Sequence, residues 1–135
     1  MTQNITLEAP LVPVSWGELI DKVTILEIKK TQMSDADAIF NVCRELAALS
    51  KIVKQAIDSQ SQLQNLKERL FAVNRQLWDI EDAIRQKESS KSFDAGFIEL
   101  ARSVYKTNDQ RASLKREINL LVNSPLIEEK AYKPY

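Results

Sequence analysis

The sequence contains no histidine. That absence removes imidazole-ligated zinc, histidine general bases and Ser-His-Asp arrangements together. A single cysteine, Cys43, cannot close an internal disulfide. It stands beside Val42 and one turn before Leu46, so a small buried apolar residue is expected there, with nothing nearby in sequence to activate a thiolate. Glycine and proline are scarce as well, at two and four in 135 residues, and residues 14–124 hold no proline. Strand-rich folds need turn residues every ~8–12 positions. Their scarcity predicts helix after helix.

Net charge is also missing. Nineteen basic residues balance nineteen acidic ones with the signs interleaved. Proteins that grip nucleic acid carry a basic face that displaces phosphate counterions; none stands out, so no nucleic-acid partner is expected. No apolar run approaches the ~18 residues of a membrane span. The opening MTQNITLEAP has neither the basic nor the apolar region of a signal peptide. A cytoplasmic protein without a membrane partner is the expectation. A hydrophobic content of 44% in 135 residues suits one globular domain.

What is present is helical periodicity. In VPVSWGELIDKVTILEIKK, residues 12–30, Ser15 and Glu18 have the spacing of a capping box, and Val14 with Leu19 that of a hydrophobic staple. The first helix, 15–31, is apolar around more than half its circumference and should be buried on two sides. A second, 35–58, starts after Ser34 and carries Ile39, Val42, Leu46, Leu49, Val53 and Ala56 in steps of three and four. A third, 61–88, repeats that pattern through Leu63, Leu66, Leu70, Val73, Leu77, Ile80 and Ile84. Ser61 and Gln64 suggest another capping box and a tight reversal between these two helices. ESSKS, residues 88–92, reads as a loop, and a fourth helix, 94–123, ends before Pro125. The expected fold is all-α: an elongated antiparallel bundle of about four helices with coiled-coil-like seams. It is flanked by an extended arm, 1–14, and a C-terminal tail, 124–135, both lying along the bundle.

Four segments, VPVSWGELIDKVTILEIKK, LWDIEDAIRQKE, FIELARSVYKTNDQRASLKREIN and EEKAY, resemble a small all-helical family of bacterial and cyanophage proteins that is a domain of unknown function. The resemblance implies no activity and no catalytic residues. It extends over nearly all of the chain apart from the second helix.

Candidate site residues therefore come from broken periodicity. Asn108 and Arg111 occupy positions of the fourth helix where apolar residues are due, and Tyr105 is a plausible wall beside them. The third helix offers Asp79, Glu81 and Asp82, with Glu81 and Arg85 spaced for an intrahelical pair. An ion pair from Glu81 or Asp82 to Arg111 would close the bundle centre. Arg102, Lys106, Lys115 and Arg116 read as a solvated spiral. Gly17 is unexplained by capping, so the expectation is that another backbone or Trp78 packs close to it, or that an anion approaches the free N–H groups of that turn. One Glu-x-x-Asp pair, Glu18 with Asp21, is too little for a magnesium site; no metal, cofactor or catalytic set is expected. The leading functional expectation is a non-enzymatic interaction or scaffolding module that self-associates, as a dimer, or meets a protein partner. The alternative is a domain that binds or processes a small anionic or sugar-nucleotide-related metabolite between the third and fourth helices.

Overall fold

The computed structural model describes residues 3–135. Four helices form, α1 (Trp16–Gln32), α2 (Ala36–Ser59), α3 (Ser61–Ser89) and α4 (Ala95–Leu121), with no strand among the described residues. The chain is thus the all-α bundle that its lack of turn residues implies. α1 is the hub and packs on all three other helices, as its wide apolar circumference requires. Its Ile20 and Val23 meet Val53 of α2, Leu63, Leu66 and Leu70 of α3, and Leu114 and Ile118 of α4 in one buried cluster. Each such side chain contributes roughly 1.5–3 kcal/mol on burial. Cys43, expected inside, is only half-buried on α2.

The helix ends follow local chemistry. Asp35 caps α2 by accepting from the Ala38 N–H at 2.8 Å, and Asp94 caps α4 by accepting from the Phe97 N–H at 2.9 Å. Between α2 and α3 only Gln60 leaves the helical region, at φ −146° and ψ 99°. Its Oε1 accepts from the Gln62 N–H, so Gln60 is the cap; the expected Ser61–Gln64 box does not form, because Gln64 donates instead to Glu68. α3 runs further than expected, to Ser89. It closes with Lys91 at φ 54°, where the Ser92 N–H donates to the Lys87 carbonyl and the Lys91 N–H to that of Glu88. α4 ends the same way around Asn123, at φ 50°.

α3 and α4 form a long hairpin through the short Ser90–Asp94 turn. At 29 residues α3 is about 43 Å long, whereas α1, at 17, reaches only about 25 Å. The near half of the hairpin is therefore covered and the far half is not. Leu63, Leu66 and Leu70 are buried, while Leu77, Ile80 and Ile84 continue the same stripe only half-buried.

The two tails part company. The arm does not lie along the bundle: every residue from 3 to 14 is exposed, and Leu11 is 98% exposed. Residues 1 and 2 of the expected arm lie outside the described residues. The C-terminal tail does run back over α4, and its Tyr135 hydroxyl donates to Asp109 at 2.7 Å. Among the described residues no helix is long and apolar enough to cross a membrane.

Candidate functional site

The start of α1 rests on the end of α4. Three N–H groups of its first turn are already taken: Trp16 donates to Ser124 Oγ (3.2 Å), Gly17 to Asn119 Oδ1 (2.7 Å) and Glu18 to Ser15 Oγ (3.1 Å). A Cβ on Gly17 would stand 2.5 Å from the Lys115 carbonyl oxygen. Glycine is needed there because two helix backbones touch. The neighbour is α4 rather than Trp78, and the occupied N–H groups leave no berth for an anion. Only half of the capping box forms, since the Glu18 carboxylate turns away from Ser15 to accept from Lys115 Nζ at 2.7 Å.

One turn further along α1, Asp21 is fully buried. Arg111 of α4 grips it with two parallel bonds, Nε to Oδ1 at 2.8 Å and Nη2 to Oδ2 at 2.5 Å. Asn74 of α3 donates to the same Oδ1 (2.9 Å) and to Thr24 Oγ1 (2.8 Å). Thr24 in turn donates to the Asp21 carbonyl (2.7 Å). A carboxylate removed from water needs this many partners. The hydrogen bonds it donates to Asp21 outweigh partial burial and hold the Arg111 guanidinium above its ordinary value. The expected pair from Glu81 or Asp82 to Arg111 does not exist, because Arg111 faces α1 and not the outer side of α3.

The next turn of α4 supplies Lys115. It was expected in solvent but is 93% buried, between Glu18 (2.7 Å) and tail residue Glu128 (2.8 Å). Burial pulls its pKa down, yet the bonds to Glu128 and Glu18 prevail and the ammonium is held above its usual range. Glu128 also accepts from Lys130 at 2.6 Å. Lys115, then Lys130, hold the Glu128 carboxyl down to about 2. The tail is thus fastened to α4 by charge.

Two adjoining hollows lie along this fastening. One, about 400 Å³, is lined by Glu18, Asn108, Arg111, Lys115, Glu128 and Lys130, with Tyr132 at its rim. The other, about 440 Å³, is lined by Val104, Tyr105, Asn108, Asp109, Tyr132, Lys133 and Tyr135. Asn108 and Tyr132 border both, so they are two ends of one cleft, polar at one end and aromatic at the other. Tyr105 and Tyr135 meet edge to face with centroids 5.0 Å apart. A larger apolar furrow, about 1020 Å³, opens between α1, α2 and α3 around Leu46, Ile57 and Phe71.

A family model covers residues 11–135 and is described as a family of unknown function (DUF6165). The chain belongs to that family. No curated protein and no solved structure matches it. The part of the chain shared with the family contains the whole cleft and its buried support, from Ser15 to Tyr135.

Of the residues singled out by sequence, Tyr105, Asn108 and Arg111 come together at the cleft. Gly17 sits one turn from Asp21 and serves helix contact. Glu81 and Arg85 lie elsewhere, on the outer face of α3, as an exposed pair at 3.5 Å. The cleft lies between α1, α4 and the tail, not between the third and fourth helices. Sequence reading missed Asn74, Asn119, Ser124 and the role of Asp21. Asn74 follows Val73 and falls on the same face as Leu70, a detectable polar break in an apolar stripe. No group of three or more potential metal-binding side chains occurs among the described residues.

Proposed function

We propose that the protein is a non-enzymatic helical interaction module that associates with a second copy of itself through the far half of the α3–α4 hairpin. One observation carries this reading. A compact 15.4 kDa monomer exposes about 7,200 Å², whereas this chain exposes 9832 Å². The difference exceeds the roughly 800 Å² per partner of a standard stable interface. Exposed apolar side chains mark where it lies: Phe93 and Ile98 on the hairpin, and Ile5, Leu7 and Leu11 on the arm. Two bare hairpins laid together make four helices, with a coiled-coil-like seam continuing the stripe that α1 covers in the near half. A lone thiol without a disulfide partner suits the reducing cytoplasm of a bacterial cell.

Sedimentation velocity at micromolar concentration tests the proposal. Wild type should run as a dimer. Ile98→Glu, at a side chain 58% exposed and not needed for the fold, should run as a monomer with unchanged helicity. A wild-type monomer across that range sinks the proposal.

A further inference from the structure

The cleft between α1, α4 and the tail has the construction of a binding site, and it is independent of the bare hairpin face. Arg111 is the centre. Its Nε–Nη2 edge is spent on buried Asp21, which Asn74 and Thr24 hold in place from α3 and α1. The guanidinium plane is therefore fixed before anything binds. Arg111 lines the polar hollow, and its Nη1 makes only a long 3.5 Å contact, to Asn108 Oδ1. A guanidinium so held presents its second edge to a planar anion, and carboxylates match that fork with two parallel bonds.

Charge narrows the ligand further. Arg111, Lys115 and Lys130 stand against Asp21, Glu18 and Glu128, so the hollow is balanced. One added negative charge finds an unfilled donor edge; a second would sit beside Glu18 and Glu128 without a cation of its own. A monoanion is favoured over a dianionic phosphate. Beyond Asn108 the wall changes to Val104, Tyr105, Tyr132 and Tyr135, with Asp109 and Lys133 as its two charged members, one of each sign. Tyrosine faces accept a flat or ring-shaped body. The two hollows together fall within the 300–1,000 Å³ range of small-ligand sites.

We infer that this cleft binds a small ring-bearing carboxylate, with the carboxylate on the free edge of Arg111 beside Asn108 and the ring among Tyr105, Tyr132 and Tyr135. Tail residues build half of the walls, so the site exists only while Glu128 holds the tail on Lys115.

The test is a two-dimensional NMR titration of the full chain with benzoate, cyclohexanecarboxylate and indole-3-acetate. Acetate, benzyl alcohol and phenyl phosphate supply the arms that lack the ring, lack the charge, or carry a second charge. At least one ring carboxylate should give saturable shifts confined to the Asn108 amide, the Arg111 guanidinium and the three tyrosines. Acetate, benzyl alcohol and phenyl phosphate should bind at least tenfold more weakly. Tyr105→Ala, at a half-exposed residue, and Asn108→Ala should keep the fold and weaken binding about tenfold. Absence of saturable shifts at the cleft with all three ring carboxylates overturns the inference. So does binding that both variants leave unchanged, and so does stronger binding of phenyl phosphate.

Discussion

At the residue scale the molecule turns on two positions, Asp21 and Gly17. Removing the arginine that neutralises a buried carboxylate leaves an unpaired charge, which costs ~3–5 kcal/mol when both partners are buried. Arg111 keeps some solvent contact, so Arg111→Leu should lower the unfolding free energy by about 2–3 kcal/mol in urea titration. Unchanged stability would mean that Asn74 alone suffices for the Asp21 carboxylate. Gly17→Ala forces its new methyl onto the Lys115 carbonyl and strains the Asn119 bond. A loss of about 1–3 kcal/mol is expected, as for other overpacked sites, read from the same titration; wild-type stability would show that α1 slides freely on α4. The sequence made Arg111 and Gly17 conspicuous because each breaks a local rule. It did not make their partners so. Asp21 resembles any acidic residue near the start of a helix, and its burial follows from which helix α1 crosses, a tertiary fact that no spacing encodes.

At the scale of elements, the ends of the helices matter more than their middles. Heptad spacing and cap residues made α1, α2 and α4 legible, and the arrangement of tail on helix was not, since it rests on Lys115. A lysine followed by Arg116 and Glu117 in sequence looks solvated, yet here it is buried and its charge is shared by Glu18 and Glu128. Because Glu128 has its pKa lowered from 4.5 to about 2, docking of the tail contributes stability above pH ~4.5 that is lost as pH falls toward 2. The stability gap between wild type and Glu128→Gln should be widest above pH 5 and shrink through that window; a gap independent of pH would show that the charge of Glu128 is not what holds the tail. The turn between α3 and α4 offers the opposite kind of change. Lys91 adopts the left-handed backbone at φ 54° that glycine takes without strain. Lys91→Gly should raise the melting temperature, by the equivalent of about 0.5–1 kcal/mol, unless the Lys91 side chain stabilises the turn in some other way.

At the scale of the whole molecule, one compact region is joined to a long uncovered hairpin. Periodicity revealed that α3 and α4 pair, since Leu63 to Ile84 keep one unbroken stripe. It gave no sign that the cover ends midway, because the stripe reads the same whether a neighbour is present or not. What ends it is the length of α1, 17 residues against 29 for α3. Stability should therefore be uneven along the hairpin. Amide exchange is expected to be slowest around Leu66 and Leu114 and at least tenfold faster around Ile84 and Phe97 in the monomeric Ile98→Glu variant. Uniform protection would show that the hairpin stands without cover.

The bonds from Trp16 to Ser124 and from Gly17 to Asn119 also set an order of events. They join groups 108 and 102 positions apart, so α1, made well before α4, completes its own N-terminus only when the end of α4 exists. Closing so long a loop is entropically costly and slows folding. A chain re-opened at Ser90–Asp94, with its old ends joined by a flexible linker, would bring these partners to about 30 positions apart plus the linker instead of more than 100. It should refold faster than the native order in stopped-flow measurements, and its α1 would be capped from the outset.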